Sequence, residues 1–204
     1  SNGLTLMIKI IKIEKSKPYK KFLYFYDKAM ELNQKRTEIV SISSYDSQKH
    51  EVFSRYVNLK YIKGNEWIFF SNYNSPKSLQ FQMHEQISAL FYWDKLSFQL
   101  RIKAKIKKSN KSFSDAHFKK RSKEKNALSI SSAQSEEISS YEDVIKKYNS
   151  VLEKENLIKR PEFWGGFSFV PYYFEFWEGK ENRLNKREVF EYKENNWINF
   201  ILEP

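Results

Sequence analysis

Basic side chains are the most numerous chemically active groups in this sequence of 204 residues. Lys and Arg total 36 against 25 Asp and Glu, which gives a formal net charge of +11. Ten of these cations lie between Lys103 and Lys125. Such an excess indicates an anionic partner (nucleic acid, anionic lipid or a phosphorylated small molecule), although a solvated lysine-rich surface would have the same composition.

The basic segment lacks the features of a nucleic-acid interface. Single-stranded nucleic acid is usually bound by cations interleaved with exposed aromatic rings, and this segment contains only Phe113 and Phe118. The chain has no RNP sequence, zinc-finger spacing or helix-turn-helix pattern. The sequence therefore argues against nucleic acid as the partner, and a basic nucleic-acid-binding module is kept only as a third hypothesis.

Nucleophiles and metal ligands are scarce. The chain has no Cys and three His, at positions 50, 84 and 117, which excludes thiolate chemistry and argues against a metal site. No GxGxxG, P-loop, GxSxG or HExxH pattern occurs. Glu175 and Glu178 share one predicted strand and are interpreted as structural. The residues alone thus predict a metal-free protein that binds an anion and borrows a cofactor.

Four helices are predicted from capping residues and apolar spacing. Their expected starts are Tyr19, Ser75–Pro76, Ser114–Asp115 and Ser140–Asp143. The first should end at residues 33–36, and the third should carry the basic segment. The helices lie between short strands without regular βαβ alternation, which indicates that they are peripheral to a sheet.

About eight short strands are predicted, at residues 37–44, 51–61, 66–71, 87–93, 97–107, 167–178, 188–192 and 197–202. Apolar and polar residues alternate strictly over 97–107, as on a strand with one buried face. The strand at 87–93 contains a continuous apolar stretch, which predicts that it is buried on both faces. The fold class is therefore a mainly β, α+β protein with a closed antiparallel barrel and peripheral helices. We expect an N-terminal extension and helix at 1–36 and one domain at 37–204.

Membrane and export signals are not evident. No run of 18 apolar residues occurs, and the apolar stretch Leu4–Ile13 is short and interrupted by Lys9 and Lys12. The sequence predicts neither a membrane span nor a signal peptide, so a cytoplasmic location is expected.

Four motifs near the end of the chain are distinctive. They are Pro161–Phe167 (PEFWGGF), Phe174–Gly179 (FEFWEG), Arg183–Arg187 (RLNKR) and Leu202–Pro204 (LEP). In order and spacing they resemble the pattern P-x-x-W-G-G, E-F-W-x-G, R-L-H-D-R and L-x-P of the pyridoxamine 5'-phosphate oxidase family. Further matches lie upstream at Arg55–Lys60 (RYVNLK), Phe69–Lys77 (FFSNYNSPK), Phe91–Trp93, Gln99 and Ala133–Ser135. The resemblance covers residues 37–204.

The resemblance implies a split β-barrel homodimer with FMN bound at the interface. The implied reaction oxidises pyridoxamine or pyridoxine 5'-phosphate to pyridoxal 5'-phosphate and reduces O2 to H2O2. In such an enzyme the flavin carries the redox chemistry, and the protein supplies position and electrostatics.

The resemblance also assigns the site residues, which form two sets with shared members. The FMN contacts it implies are Arg55, Lys60, Phe70, Ser71, Lys77, Gln99, Gln134, Ser135, Trp177 and Arg187. The implied substrate contacts are Lys60, His117, Arg121, Lys125, Arg183 and Asn185, of which Arg183 and Asn185 would be catalytic. Arg is suited to bidentate phosphate contact, which agrees with a ligand that is a phosphate ester.

Several positions depart from the family pattern. Pro76 replaces one arginine of the cofactor-phosphate pair, while His117 and Lys125 replace a tyrosine and a serine of the substrate-phosphate set. Asn185 replaces a histidine and cannot titrate near neutral pH, and Lys186 reverses the charge of an aspartate. Two interpretations stay open: a divergent working oxidase, or an FMN-binding split-barrel protein with altered or no oxidase activity.

Overall fold

The computed structural model describes residues 7–154 and 156–204, and this part of the chain contains ten strands and five α-helices. The strands are β1 (Lys9–Ile11), β2 (Ile39–Asp46), β3 (Glu51–Asn58), β4 (Tyr61–Lys63), β5 (Glu66–Asn72), β6 (Gln86–Trp93), β7 (Phe98–Lys108), β8 (Trp164–Glu178), β9 (Lys186–Lys193) and β10 (Asn196–Leu202). The helices are α1 (Lys17–Glu31), α2 (Pro76–Met83), α3 (Lys111–Lys120), α4 (Lys123–Ser131) and α5 (Tyr141–Lys154).

The long strand β8 organises the sheet, because its 15 residues pair with β5, β7 and β9. The strand order is β1-β4-β5-β8-β7-β6-β2-β3, and β10 pairs with β9. Every described pair is antiparallel except β1–β4. Pro171 lies in β8 where the register against β7 shifts between Lys103 and Ala104. This bulge fits a residue that has no N–H for the ladder.

The alternation predicted in β7 is confirmed. Its apolar residues are all buried: Phe98, Leu100, Ile102, Ala104 and Ile106. Opposite them lie aromatic side chains of β5, β6 and β8, so aromatic rings fill most of the core. The high aromatic content of the sequence is therefore a packing feature.

Helix α1 shares this core. Tyr19, Phe22 and Tyr26 on its buried face belong to the same apolar cluster as the sheet, and the rings of Phe22 and Trp67 have centroids 4.9 Å apart. The domain boundary predicted at residue 36 stays a prediction. Residues 1–6, which include the start of the apolar stretch noted above, lie outside the described residues.

Two strand predictions are wrong. The strand expected over 51–61 ends at Asn58, and β4 begins separately at Tyr61, so Lys60 lies in the break between them. Strand β6 was expected to be buried on both faces, but Leu90 and Tyr92 are 40% and 62% exposed in the single chain. Strand β6 therefore has one face in the core and one face exposed in the single chain.

The predicted start of the third helix is also wrong. Helix α3 begins at Lys111 because Asn110 caps it, and the Asn110 Oδ1 accepts from the backbone N–H groups of Ser112 and Phe113. Ser114 is buried inside the helix, and its Oγ accepts a hydrogen bond from the Gly166 N–H at 3.0 Å. The basic segment continues into α4, which the sequence did not separate.

Candidate functional site

A cavity of 1190 Å³ lies among strands β3, β4 and β5 and helices α2, α3 and α4. Ten of the predicted site residues line it: Arg55, Lys60, Phe70, Ser71, Lys77, His117, Arg121, Lys125, Gln134 and Ser135. The fold therefore brings together side chains that are widely separated in the sequence. Their cations form two groups, each with its own set of neighbours.

Arg55 belongs to the first group and is held by three acceptors. Its Nη1 donates to the Ile42 carbonyl at 3.1 Å and to the Ser44 Oγ at 2.7 Å. Its Nη2 donates to the Gln80 Oε1 at 3.2 Å. Burial lowers the pKa of Arg55, but a guanidinium stays charged at neutral pH. The guanidinium is therefore fixed in orientation before any ligand arrives.

Lys77 is the second cation of this group and is only 8% exposed. Its Nζ contacts the Ser75 Oγ at 3.4 Å, and no carboxylate of the described residues forms an ion pair with it. Burial, and then the charge of Arg55, lowers the pKa of Lys77 to about 8. A buried ammonium beside a guanidinium needs a neutralising anion.

The location of Lys77 supports a phosphate in particular. Pro76 and Lys77 form the first turn of α2, where the free backbone N–H groups and the helix dipole favour negative charge. By composition alone, a lysine at a helix start is expected to be solvated, so burial of this one indicates a dedicated site. The chemistry of Arg55 and Lys77 fits a dianionic phosphate ester.

The second group consists of Lys60, Lys120, Arg121 and Lys125 around His117. Arg121 follows α3, and its Nη1 donates to the Asn126 Oδ1 at 3.1 Å and the Ser129 Oγ at 2.9 Å. Its guanidinium lies 4.4 Å from the centroid of the Trp164 ring.

The cations of the second group lie close enough to repel one another. Burial, and then the charge of Lys125, lowers the pKa of Lys60. The second group therefore concentrates further positive charge in the same cavity.

His117 is held on two sides by aromatic rings. Its ring stacks on Phe70 with centroids 3.8 Å apart and an interplanar angle of 9°. Its Nδ1 lies 2.8 Å from the Tyr61 hydroxyl. Burial, and then the nearby cations Arg121 and Lys60, lowers the pKa of His117 to about 3. The imidazole is therefore neutral at physiological pH and adds no positive charge to this group.

The remaining predicted cavity residues are polar and neutral. Ser71 is buried, and its Oγ donates to the Gln134 Oε1 at 3.4 Å. Ser135 has φ of +69°, a left-handed conformation that costs a non-glycine residue energy and is frequent at functional sites. These groups can complete the hydrogen bonding of an anion bound between the cations.

Sequence reasoning assigned neither Tyr61 nor Trp164 to the site. Trp164 is buried and does pack, but it also lines the cavity beneath Arg121. Tyr61 lies 56 positions from His117, so only the three-dimensional fold could show that they pair.

Five predicted residues do not line the cavity of this chain. Gln99, Trp177 and Arg187 are Cα partners across β7, β8 and β9. Arg183 and Asn185 lie in the connection between β8 and β9. The structure thus divides the predicted site into a cavity half and a strand half, the latter formed by these five residues.

Ion pairing organises the strand half. Arg187 forms two hydrogen bonds with Glu175, from Nε to Oε2 at 3.1 Å and from Nη2 to Oε1 at 3.0 Å. Arg101 reaches the same carboxylate at 3.4 Å. Glu175 is 1% exposed, so it is the buried anchor of the network. Its interpretation as structural agrees with these contacts.

The connection that carries Arg183 is conformationally unusual. Asn182 and Arg183 have φ of +56° and +59°, which is rare for consecutive non-glycine residues. Arg183 is exposed, whereas the Asn185 Oδ1 accepts a hydrogen bond from the Lys180 N–H at 3.0 Å. Asn185 therefore stabilises the turn, and Arg183 is the side chain that can reach another molecule.

Neither a membrane helix nor a metal centre is evident in residues 7–154 and 156–204. No helix there is long and apolar enough to cross a membrane. No group of three or more His, Asp or Glu there could hold a metal ion.

Solved structures with the same fold define the class of protein. PhzG from Burkholderia lata, solved with tetrahydrophenazine-1-carboxylic acid, has a TM-score of 0.87 at 23% identity, covering 93% of both chains. A pyridoxamine 5'-phosphate oxidase-related, FMN-binding protein from Nostoc punctiforme has a TM-score of 0.77 at 10% identity, covering 93% of this chain and 99% of that one. The predicted split-barrel fold is confirmed.

Sequence relatives define the family. The pyridoxine/pyridoxamine 5'-phosphate oxidase of Leptospira biflexa is 36% identical over 191 residues, covering 92% of this chain and 89% of that protein. That of Legionella pneumophila is 31% identical, covering 92% and 87%. Residues 164–204 match the model of the pyridoxine 5'-phosphate oxidase C-terminal dimerisation region. The chain belongs to the pyridoxine/pyridoxamine 5'-phosphate oxidase family, a family of oxidoreductases.

Proposed function

We propose that this protein is an FMN-dependent oxidase that converts pyridoxamine or pyridoxine 5'-phosphate to pyridoxal 5'-phosphate. The amine reaction consumes O2 and water and releases ammonia and H2O2, and the alcohol reaction consumes O2 and releases H2O2. The observation that carries the proposal is the presence of two separate cation groups in one cavity. A phosphorylated cofactor and a phosphorylated substrate together require two such groups.

The first group fits the phosphate of FMN. Arg55 is pre-oriented by three acceptors and Lys77 is buried without a carboxylate partner. Because Pro76 replaces an arginine of the family pattern, these two cations carry most of the phosphate binding. Bound FMN would supply hydride acceptance and reoxidation by oxygen, which no side chain of this chain provides.

The second group fits the substrate phosphate. Lys60, Arg121 and Lys125 supply positive charge, and Trp164 and Phe70 supply apolar walls for an aromatic ring. Binding through the phosphate places the substrate in one orientation, so that its reacting carbon is held rather than free to rotate. The protein thereby contributes position and electrostatics to the reaction.

The strand half completes the site from a second copy of the chain in this proposal. Gln99, Trp177, Arg183 and Arg187 are exposed or half-buried and lie outside the cavity. Large apolar side chains are exposed on the sheet surface at Val52, Tyr56, Leu90, Tyr92, Ile198 and Ile201. Exposed apolar surface of this extent is typical of an interface, and the matched C-terminal family region is named for dimerisation. We expect a homodimer in the cytoplasm, with each site built from both subunits.

A second candidate is an FMN-binding protein of this fold without oxidase activity on the vitamers. Asn185 favours it, since this residue replaces a histidine. Its side-chain Oδ1 already accepts a hydrogen bond from the Lys180 N–H within the turn. Lys186 adds a positive charge beside it. Of the two predicted catalytic residues, only Arg183 then matches the family pattern.

Flavin content and peroxide release separate these functions. The purified chain should be yellow and should release one H2O2 per pyridoxal 5'-phosphate formed from the amine or the alcohol. Yellow protein that releases no peroxide with either vitamer would support the second candidate. A colourless protein that cannot be reconstituted with FMN and that is retained on DNA in a salt-sensitive way would support a nucleic-acid-binding module.

A further inference from the structure

We propose that Tyr61 fixes the tautomer of a neutral His117, so that the imidazole Nε2–H donates a hydrogen bond to the phosphate bound by the second cation group. The inference rests on the proposed function, because it assigns that phosphate to the vitamer. It makes Tyr61 a positioning residue and His117 an uncharged donor.

The geometry leaves one nitrogen of His117 for a ligand. Nδ1 lies 2.8 Å from the Tyr61 hydroxyl, and the Tyr61 ring packs edge-on against the imidazole at 5.3 Å. Phe70 covers one imidazole face at 3.8 Å. The ring therefore cannot rotate without losing these contacts, and Nε2 is the nitrogen that stays available in the cavity.

The charges around His117 keep it neutral. The groups that act on it are Arg121, Lys60, Lys120 and Lys125, all cationic, and together with burial they lower its pKa to about 3. A neutral imidazole has one N–H and one acceptor nitrogen. An anion repels the acceptor nitrogen and attracts the N–H, so phosphate binding requires the proton to be on Nε2.

Tyr61 satisfies this requirement by donating to Nδ1. Burial raises the pKa of Tyr61, so its hydroxyl keeps its proton. Among the described residues the His117 Nδ1 is the hydrogen-bond partner of that hydroxyl. Donation from Tyr61 makes Nδ1 the acceptor and places the imidazole proton on Nε2.

A double-mutant cycle tests the assignment. The dissociation constants of pyridoxal 5'-phosphate and of inorganic phosphate are measured on the FMN-saturated full chain for the wild type, Tyr61→Phe, His117→Gln and the double variant. Gln is the matched replacement because its amide N–H can occupy the position of Nε2–H and has no tautomer to fix. We expect Tyr61→Phe to weaken binding about tenfold in the His background and to have little effect in the Gln background.

If Tyr61→Phe weakens binding equally in the His117 and the His117→Gln backgrounds, the assignment is overturned. A merely structural role for Tyr61 predicts that result. If inorganic phosphate shows the coupling but pyridoxal 5'-phosphate does not bind, the His117 assignment holds and the proposed function fails. If pyridoxal 5'-phosphate binds without coupling, the proposed function holds and the assignment fails. If neither compound binds, both fail.

Nitrogen NMR of ¹⁵N-histidine-labelled protein gives a readout that is independent of affinity. The imidazole signals absent from the His117→Gln variant belong to His117. In the FMN-saturated protein without vitamer, we expect a protonated Nε2 and an unprotonated Nδ1 from about pH 5.5 to 8, where an ordinary histidine titrates. A doubly protonated ring, or a proton on Nδ1, would contradict the proposal.

Discussion

Replacing Lys77 with Met tests the cofactor-phosphate site, because Met keeps most of the side-chain volume and removes the charge. Lowering the pKa of Lys77 from 10.5 to about 8 corresponds to about 3 kcal/mol of unfavourable free energy for the buried ammonium. In the proposed FMN complex the phosphate would neutralise this ammonium. We therefore expect Lys77→Met to weaken FMN binding about 10- to 100-fold at pH 7, as for the loss of one charge-assisted hydrogen bond.

The pH dependence of FMN binding follows from the same pKa. Below about pH 8 the Lys77 amine is already protonated in the free protein. Above about pH 8 FMN binding must first return a proton to Lys77, so the dissociation constant should rise by up to about tenfold per pH unit. Lys77→Met should lack this rise. Fluorescence quenching of FMN, titrated from about pH 7 to 10, measures both effects.

The stability of the flavin-free protein should change in the opposite direction. Because the folded-state pKa of Lys77 lies below its unfolded value, the ammonium destabilises the fold below about pH 8 and this cost disappears as the pH approaches 10.5. Lys77→Met should thus raise the free energy of unfolding at pH 7 by up to about 3 kcal/mol, with the difference vanishing near pH 10.5. Urea denaturation measures it.

Lys20→Met is the matched control, since Lys20 is exposed on α1. It should leave FMN affinity and the pH profile unchanged. The reasoning is refuted if Lys77→Met binds FMN with the wild-type dissociation constant and the same rise above pH 8.

Three further substitutions test other parts of the account. Arg183→Ala should lower turnover while FMN stays bound. If the purified variant lacks flavin absorbance, the assignment of Arg183 to the substrate is contradicted. Glu175→Gln should lower the free energy of unfolding by about 1–3 kcal/mol, because Arg187 loses its bidentate partner; an unchanged thermal midpoint would argue against a buried anchor. Gly165→Ala should destabilise the fold, because its Cβ would collide with the Tyr73 hydroxyl, and adding Tyr73→Phe should restore part of the thermal midpoint.

The sequence predicted the parts of the fold that depend on local pattern. The alternation over 97–107 predicted the strand Phe98–Lys108 and its one buried face, because side chains alternate across a sheet. The start of α3 was misplaced because Ser114–Asp115 has the composition of a cap, whereas Asn110 makes the hydrogen bonds. The exposed face of β6 was missed, since an apolar stretch has the same composition whether one or both of its faces lie in the core.

The site was predictable as a set of residues but not as an arrangement. Motif resemblance supplied the identities of the ten cavity residues, and the structure showed that they converge. The burial of Lys77 and the pairing of Tyr61 with His117 depend on contacts between distant segments, so no local pattern contains them. The location of Arg183 outside the cavity likewise depends on the three-dimensional fold and on no local pattern.

Subunit complementation tests most directly whether the cavity half and the strand half form one site across two copies. Arg121→Ala disables the cavity half and Arg183→Ala disables the strand half, so each homodimer should have little oxidase activity. Co-expression of the two variants should restore peroxide release from about one quarter of the sites, because half of the randomly assembled dimers contain one intact site. No recovery in mixed dimers whose formation is verified by mass spectrometry would contradict a site shared between subunits.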